Sequence, residues 1–528
     1  MKIKNFCFSF LIHLFISEIS LAQITFQKTY GGGLNHDWGA SVQQTTDGGY
    51  VIVGLTLSLG AGNTDIFLIK TDTYGDLLWT KTFGGTGIDE GKSVQQTTDR
   101  GYIITGITNS FSAAYYDVYL IKTDANGDIL WTRTFGGIGD DYGYSVQQTT
   151  DGGYIIAGYT RSFGSGYLDV YLIKTDINGD SLWTKTFGGA GDDLGLCVQQ
   201  TSDGGYIITG NTFGSFGAGL NDFYLVKADS IGNLLWTKTY GGTNHDYSFS
   251  IRQTANGEYI IVGYTSSFGA GSDDVYLIKV DANGNSLWTK TYGGANYDGG
   301  GSVQQTADAG FIIVGFTSNF GAGQNDVYLI KTDLNGDTLW TKTFGGTHYD
   351  NGFSIQRTSD GGYIITGEND DGDSVYLIKT DSLGNSGCNQ SGTTTIVTNP
   401  VTQETTPATN VTSPPTIVTT PATITSSGGT VTTLCTTVGI QSEIQNPQSA
   451  ISISPNPFHS ITTLTVNNNL FNDNLTLSIF NVEGKILRQQ NLTSHQTIIE
   501  RNGMANGLYF YKLAENGIVK SVGKLLVE

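Results

Sequence analysis

Short runs of apolar and β-branched residues recur along the chain from residue 23 to residue 386 at an almost fixed interval. One repeat unit holds four of them, SVQQT (Ser41 to Thr45), GYVIVG (Gly49 to Gly54), DIFLIKTD (Asp65 to Asp72) and LLWTKTFGG (Leu77 to Gly85). Each run has the composition and length of an ordinary strand, so the pattern predicts four β-strands per unit and no helix. The second and third runs are apolar on both alternating faces, which indicates sheets that are covered on both sides.

A tryptophan in the fourth run marks the period. It recurs at separations of 52, 52, 53, 52 and 52 residues, as Trp79, Trp131, Trp183, Trp236, Trp288 and Trp340. Phe26 stands in the same place one period earlier. Seven units of four strands predict an all-β fold, a seven-bladed β-propeller. All eight prolines lie from Pro400 onward, as uninterrupted hydrogen-bonded ladders require.

The order of the runs at the two ends predicts how the ring closes. The first run after residue 22 is ITFQKTY (Ile24 to Tyr30), a strand of the fourth type with no first strand before it. The last unit has its first three strands and then stops without a tryptophan strand. We therefore expect Ile24 to Tyr30 to complete the last blade beside the Tyr376 strand, which removes both exposed edges.

The N-terminal 22 residues are interpreted as a secretory signal peptide. They have a basic start (Lys2, Lys4), an apolar centre and the small-residue exit Ser20-Leu21-Ala22. No later apolar run approaches the ~18 residues that a membrane-spanning helix needs. The sequence thus predicts an exported chain.

Cysteine usage agrees with export. Cys388 and Cys435 bracket a threonine-rich segment and could pair in an oxidising compartment, although two free thiols are the alternative. Cys197 holds a position that serine occupies in the other units, and we interpret it as a small core residue.

The net charge of the chain limits the classes of partner that it is expected to bind. The formal net charge is −20, so nucleic acid, which needs a basic face, is not expected. A neutral glycan, a protein or a divalent cation suits this surface better.

Two segments follow the repeats. Residues 387–448 are rich in threonine and proline, and predict an extended linker with little fixed structure. Strand periodicity resumes in residues 449–528. This tail resembles the type A C-terminal sorting domain of the type IX secretion system of Bacteroidota, through Pro455-Asn456-Pro457-Phe458, LSIFNVEGK, NGLYFYKL with its Gly507, and the terminal GKLLVE with its Lys524. The resemblance implies a small β-sandwich that the secretion machinery recognises at the outer membrane.

The phrase YLIKTDANGDILW also resembles the repeat of quinoprotein-type propellers. In that family an aspartate turn, a glycine and a tryptophan dock neighbouring blades. The resemblance implies a structural role for the tryptophans. It does not bring a quinone cofactor, for which no dedicated residues are present.

Positions that vary between units indicate where a ligand could bind. They cluster in the loop after the Gly-Gly pair and in the loop before the third strand, which we expect on one face of the disc. Aromatic residues on that face are candidate ligand contacts, and the alternative is that they fill gaps between loops. They are Trp38, Tyr116, Tyr142, Tyr167, Tyr247, Tyr297 and Tyr349.

An aspartate recurs in the first of these loops, as Asp37, Asp89, Asp141, Asp193, Asp246, Asp298 and Asp350. A ring of carboxylates could hold Ca²⁺, but a side chain that caps its own turn explains the same recurrence, and we favour the cap because calcium needs several oxygens at one point. No cofactor is expected. The axial channel is predicted to be lined by Gln44, Gln96, Gln148, Gln200, Gln253 and Gln305, with Arg357 in the seventh place.

No nucleophile with a base, no asymmetric carboxylate pair and no phosphate loop appears in the repeats, so catalysis is not expected. The preferred hypothesis is a secreted or surface-attached binding or adhesion module for a glycan or protein. The alternatives are a polysaccharide-acting enzyme and a structural surface-coat component on the same scaffold.

Overall fold

The computed structural model describes most of the chain after residue 22, so the proposed signal peptide lies outside the described residues. The described ranges are 23–31, 36–112, 115–369, 373–393, 395–400, 402–405, 410–412, 417–419, 424–426, 430–438, 451–454, 457–466, 475–481, 485–515 and 518–527. The chain divides into a large unit, Gln23–Gly439, and a C-terminal unit from Ile440 onward.

Strands account for the regular structure of the large unit. The first is β1 (Ile24–Gly31), and the first three repeats hold β2 (Asp37–Gln44), β3 (Tyr50–Thr56), β4 (Asp65–Thr71), β5 (Leu77–Gly84), β6 (Asp89–Gln96), β7 (Tyr102–Thr108), β8 (Asp117–Thr123), β9 (Ile129–Gly136), β10 (Asp141–Gln148), β11 (Tyr154–Thr160), β12 (Asp169–Thr175) and β13 (Ser181–Gly188). The other repeats hold β14 (Asp192–Gln200), β15 (Tyr206–Phe213), β16 (Asn221–Ala228), β17 (Leu234–Gly241), β18 (Asp246–Gln253), β19 (Tyr259–Thr265), β20 (Asp274–Val280), β21 (Ser286–Gly293), β22 (Asp298–Gln305), β23 (Phe311–Thr317), β24 (Asp326–Thr332), β25 (Thr338–Phe344), β26 (Asp350–Arg357), β27 (Tyr363–Asn369) and β28 (Ser374–Thr380).

These strands form seven antiparallel sheets, which we call blades 1 to 7 in the order of their inner strands β2, β6, β10, β14, β18, β22 and β26. Blade 7 combines β26, β27 and β28 with β1 from the start of the chain. In this sheet Phe26 lies opposite Lys379 and Thr29 lies opposite Tyr376. The prediction that the N-terminal strand closes a seven-bladed propeller is confirmed.

Side-chain amides join neighbouring inner strands around the ring. Gln43 Oε1 accepts a hydrogen bond from Gln96 N (2.5 Å), and Gln96 Oε1 accepts one from Thr46 N (2.8 Å). The same contact closes the circle, because Ser359 N in blade 7 donates to Gln44 Oε1 in blade 1 (2.8 Å). Each blade is thus bonded to the next at the axis.

Tryptophan docks the outer parts of the blades. The Trp79 ring lies edge-on to Tyr102 of the next blade (centroids 6.0 Å apart) and against Gly127, whose φ of 78° suits glycine. Phe26 makes the equivalent contacts with Tyr50 and Gly75. Between the sheets lie apolar layers such as the one that contains Ile104 and Ile121, which are fully buried.

The threonine-rich segment adds a fifth strand to every blade. Its strands are β29 (Gln390–Gly392), β30 (Ile396–Thr398), β31 (Gln403–Thr405), β32 (Asn410–Thr412), β33 (Ile417–Thr419), β34 (Ile424–Ser426) and β35 (Thr430–Val438). In that order they pair with the outer strands β25, β21, β17, β13, β9, β5 and β1. We call residues 388–438 the belt. A spacer with little fixed structure was expected here, whereas the described parts of this segment lie along the rim of the propeller.

Hydroxyl contacts accompany the belt pairing. Thr291 and Thr398 place their Oγ1 atoms 2.5 Å apart, and Thr343 Oγ1 lies 2.7 Å from Ser391 Oγ. Cross-strand hydroxyl pairs of this kind stabilise neighbouring strands, which accounts for part of the threonine content of the segment.

The C-terminal unit is a two-sheet sandwich. Its described strands are β36 (Ile451–Ser454), β37 (Ile461–Val466), β38 (Leu475–Phe480), β39 (Ile486–Asn491), β40 (Gln496–Glu500), β41 (Gly507–Glu515) and β42 (Ile518–Val527). One sheet has the order β36-β37-β40 and the other β39-β38-β41-β42, and Leu464, Leu477 and Leu513 are among the residues buried between them.

The motif residues of this unit lie near its last strand. Phe458 N donates to Leu526 O (3.0 Å), so the chain after Pro457 is bound to the terminal strand, which also carries Lys524. Gly507, with φ of 146°, begins β41. Pro455 and Asn456 lie outside the described residues.

Candidate functional site

The two variable loop sets share one face of the propeller. In blade 1 the loop before β4 meets the loop that leads to blade 2, where Asp89 N donates to Thr64 O (2.8 Å) and Thr64 forms a bridge with Ile88. Equivalent bridges join Leu168 to Asp192 and Asn325 to Tyr349. We call this side the variable face.

A β-bulge interrupts every inner strand just below the variable face. The register with the second strand shifts at the same place in each blade, and the extra residue is Ala40, Lys92, Tyr144, Leu196, Phe249, Gly301 or Phe353. Bulges re-aim side chains and are over-represented beside binding sites. Neighbouring bulges meet: the Lys92 ammonium lies 5.7 Å from the Tyr144 ring centroid, and Gly301 lies against the backbone of Phe353. These seven residues form a ring, the bulge ring, around the axial opening.

The largest aromatic group on this face belongs to blades 2 and 3. Tyr142 stacks on Tyr159 with ring centroids 4.7 Å apart, and Tyr144 and Tyr116 lie 6.4 and 5.4 Å from it. Burial raises the pKa of Tyr159 and Tyr142, so both hydroxyls stay protonated and can donate hydrogen bonds. This tyrosine cluster offers a stacking surface with polar edges.

A second aromatic group lies on blade 5. Tyr247 and Tyr264 have centroids 5.0 Å apart, and Phe249 of the bulge ring lies 5.8 Å from Tyr264. Asn221 Nδ2 donates to the Tyr247 hydroxyl (2.8 Å), which fixes the ring.

Trp38 lines an open cleft rather than a stack. The cleft, about 510 Å³ in volume, is shared by blades 7, 1 and 2 and is also lined by Tyr349, Glu90 and Glu368. Asn351 Nδ2 donates to Glu368 Oε1 (2.5 Å), and Glu90 forms an ion pair with Lys92 (2.6 Å). The cleft combines an indole face with carboxylate oxygens.

The other two predicted aromatics lie apart from these groups. Tyr167 is 58% exposed, with the Arg161 guanidinium 4.1 Å from its ring centroid, and Tyr297 is 56% exposed. The structure thus brings the seven predicted residues into two stacks and a cleft, with two outliers.

Sequence reasoning missed the strand residues of these groups, notably Tyr144, Tyr159, Phe249 and Tyr264. They lie in regular strand runs, outside the two variable loops that supply the predicted contacts. The signal that could have found them is the comparison between units, since the position of Tyr159 is Leu55 in blade 1 and Asn211 in blade 4.

The recurrent aspartates cap turns. Asp89 Oδ2 accepts hydrogen bonds from Gly85 N (2.8 Å) and Ser110 Oγ (2.6 Å). A second set at the start of the third strand does the same in blades 1, 3, 4, 5 and 6, where, for example, Asp222 Oδ2 accepts hydrogen bonds from Ala218 N (2.9 Å) and Gly219 N (3.2 Å). Within the described ranges no group of three or more acidic, histidine or cysteine side chains could hold a metal ion. The geometry is that of the turn cap.

Two kinds of aspartate have opposite pKa shifts. Burial raises the pKa of Asp193, Asp222 and Asp298, at the rim of the variable face, to about 6. On the opposite face the hairpin aspartates pair with buried lysines. There Lys331 and a Thr306 hydroxyl, acting against the opposing effect of burial, lower the pKa of Asp308 to about 2.

Thermal stability is therefore expected to be highest near pH 4, between the two sets of folded-state pKa values. The rim aspartates favour the folded state below the unfolded pKa of about 4, and that contribution is lost as the pH rises through about 6. The hairpin aspartates stabilise the fold above about pH 4, and their contribution is lost as the pH falls towards 2. Calorimetry between pH 2.5 and 8 measures the profile. Asp222→Asn should flatten the alkaline limb and Asp308→Asn the acid limb, whereas a melting temperature that rises steadily from pH 5 to 8 would contradict the assignment.

The axial channel has a lining that differs from the predicted one. The cavity, about 240 Å³, is lined by six glutamines, four serines and, in blade 5, Arg252. They are Gln43, Gln95, Gln147, Gln199, Gln304 and Gln356, with Ser41, Ser93, Ser145 and Ser354. The glutamines one position later, from Gln44 to Gln305, do not line it, and their Oε1 atoms accept hydrogen bonds from backbone N–H groups of the preceding blade. The prediction was shifted by one residue, because successive side chains of a strand point in opposite directions. Cys197 is buried beside Arg252, whose Nη1 lies 3.3 Å from Cys197 Sγ.

Comparisons with known proteins bear on both units. Residues 452–528 match the family described as "Secretion system C-terminal sorting domain". The regulatory protein FlaEY of Caulobacter vibrioides is 25% identical over 368 residues, which cover 64% of this chain and 36% of that protein. The chain therefore spans about a third of that curated relative.

The solved structures to which the chain is similar include two from bacteria. The extracellular domain of the putative one component system BT4673 from B. thetaiotaomicron has a TM-score of 0.36 at 8% identity, over 94% of this chain and 57% of that one. PorZ, a surface component of the type IX secretion system of Porphyromonas gingivalis, has a TM-score of 0.35 at 10% identity, over 90% and 58% of the two chains.

Among the residues that the structure describes, none forms a helix long and apolar enough to cross a membrane.

The structure of the C-terminal unit agrees with its family match over residues 452–528. The unit is a sandwich, and its Pro457-Phe458 entry is bound to the terminal strand. The chain therefore carries a C-terminal sorting domain of the type IX secretion system and is a secreted or cell-surface seven-bladed β-propeller protein.

Proposed function

We propose that the propeller is a binding module whose ligand, a glycan or a protein, occupies the variable face around the axial opening. The observation that supports this is a contrast between positions. The scaffold residues repeat from blade to blade, whereas the bulge ring and the residues beside it change from alanine to lysine, tyrosine, leucine, phenylalanine and glycine. Selection for folding alone does not require six different residue types at one level of a repeat.

A glycan is the ligand class that fits this chemistry best. The tyrosine cluster and Trp38 provide flat aromatic faces on which the C–H face of a sugar ring stacks, and Glu90, Glu368 and Asn351 place acceptors and donors beside them. The protein's negative charge disfavours anionic ligands. A sugar polymer that spans the opening could reach the tyrosine cluster, the cleft and the blade 5 stack together.

The second hypothesis for this scaffold, an enzyme, receives no support from the described side chains. The buried carboxylates near the variable face are engaged as turn caps, and the acidic residues of the cleft contact Lys92 and Asn351. We therefore retain the binding module.

A glycan array probed with the secreted chain tests the proposal. Once the array identifies a ligand, two variants are expected to raise its Kd at least tenfold, since each removes a stacking surface. They are Trp38→Ala and the double variant Tyr142→Ala with Tyr144→Ala. Tyr297→Ala is the matched control, because this tyrosine lies on the same face outside both stacks, and it should leave Kd within twofold. Unchanged binding in both test variants would overturn the assignment of the site, and no glycan or protein ligand at all would overturn the function.

A further inference from the structure

The belt makes one complete turn around the propeller. From β29 to β34 it visits blades 6, 5, 4, 3, 2 and 1 in that order, and β35 then reaches blade 7, from which the belt set out. It therefore runs in the opposite rotational sense to the blades. Each of the first six strands makes only three register pairs with its blade, whereas β35 makes eight with β1.

The two ends of the belt meet at one residue of the N-terminal strand. Gln27 is fully buried, and its Nε2 donates to Cys388 O (2.5 Å) and to Ser386 Oγ (2.7 Å). The same Gln27 lies opposite Cys435 in the β1–β35 ladder. A disulfide joins Cys388 to Cys435 across this point. Residues 388–435 are thus a covalently closed ring with the seven blades inside it.

We propose that this ring is a redox-controlled lock that holds the propeller closed after export. A propeller can open where its two chain ends meet, which here is the β1–β28 ladder inside blade 7, because β1 is held there only by non-covalent pairing. A closed ring of fixed length around the rim resists any such widening. With the ring open, the short belt strands can detach one at a time.

The order of events follows from the position of Gln27. Cys388 and Cys435 come together only when β1 has entered blade 7, so the lock closes on a completed propeller. Both cysteines are half-buried, which leaves them accessible to small thiols and disulfides, whereas Cys197 is buried and does not compete. The oxidising surroundings of a secreted protein favour closure.

The Cys388–Cys435 disulfide can form by two successive thiol–disulfide exchanges, in which a low-molecular-weight disulfide is the oxidant. One cysteine thiolate attacks that disulfide, forms a mixed disulfide and releases one small thiolate. The second cysteine thiolate then attacks the protein sulfur of the mixed disulfide and releases the other small thiolate. Two protons pass from the protein thiols to the released thiolates, so the cysteines are oxidised by two electrons and the small disulfide is reduced by two.

Reduction of the folded full-length secreted chain tests the lock. Dithiothreitol should lower the melting temperature by about 5 °C, the value expected for a closed loop of this size in a protein of this length, and should speed unfolding in denaturant at least tenfold. Cys388→Ser and Cys435→Ser should each reproduce both effects and abolish the response to the reductant. A wild-type chain whose melting and unfolding rate ignore the reductant would overturn the proposal.

Cutting the backbone of the belt distinguishes two roles of the disulfide, closure of a ring and an ordinary local crosslink. A protease recognition sequence inserted between β31 and β32 allows the belt to be cut while the disulfide stays intact. Because a ring is opened equally by either break, the cut should destabilise the oxidised protein as much as reduction does, and the two treatments together should add little. The control carries the same sequence between residues 440 and 448, outside the ring, where cutting should change nothing. If the belt cut leaves the oxidised protein unaffected while reduction still destabilises it, the crosslink acts locally and the lock is wrong.

Discussion

Phe26→Ala is expected to destabilise the propeller by about 3–5 kcal/mol, the range for a large aromatic side chain removed from a core. Phe26 is fully buried and docks blade 7 on blade 1, where its ring meets Tyr50 and Gly75. It also lies in β1, which pairs with β28 on one side and β35 on the other. The loss should therefore weaken the junction on which ring closure depends. Equilibrium urea unfolding of the secreted chain measures the effect.

Phe26→Trp is the matched control for this prediction. The other six units hold tryptophan at the same position, against an equivalent glycine such as Gly127. We expect this variant to stay within about 1.5 kcal/mol of the parent, the usual range for a conservative core exchange. A Phe26→Ala variant as stable as the Phe26→Trp variant would show that the junction does not limit stability.

Gly241→Ala is expected to cost about 3 kcal/mol, at the upper end of the range for overpacking a core. A Cβ on Gly241 would collide with Asp222 Oδ1 and lie 2.7 Å from Asp246 Oδ2. Both carboxylates are buried and hold their loops through backbone hydrogen bonds, so neither can move aside without losing a turn cap. Thermal melting at pH 5 and urea unfolding both report the loss.

Gly204→Ala separates this collision from a general effect of glycine replacement. Gly204 has φ of 81° and no atom within 4 Å of an added Cβ, so only backbone strain of about 1 kcal/mol is expected. Equal losses in the two variants would mean that the carboxylate pair does not restrict Gly241.

The belt shows where sequence reasoning stopped. Its phrases IVTNPVT, QETTPAT, NVTSPPT and IVTTPAT follow a period of seven residues, and β30, β31, β32 and β33 begin at the first residue of each phrase. Each step of seven residues, at most about 23 Å of chain, takes the belt from one blade to the next. The prolines fall between these strands, as a residue without an N–H group must. The period is visible in the sequence, yet three-residue strands of low hydrophobicity are typical of a linker until their pairing partners are known.

The candidate site also has a part that the sequence reveals and a part that only the structure reveals. Loop aromatics such as Trp38 and Tyr142 stand out from the sequence because they break the repeat. Which of them meet depends on the bulge in each inner strand, which is set by the register between two strands and cannot be read from either alone. For the same reason the channel lining was assigned to Gln44 and its equivalents instead of Gln43 and its equivalents.

The sequence by itself determined the number of blades, the strands within each and the use of the N-terminal strand to close the ring, because these follow from periodicity and from which strand types stand at the two ends. It also determined the sorting domain, because that domain carries its motifs in contiguous residues. Only the tertiary structure decided the course of the belt, the partner of each belt strand and the grouping of the aromatics. These depend on hydrogen bonds between strands far apart in the chain, and backbone groups carry no residue-specific signal of the partner that they will bind.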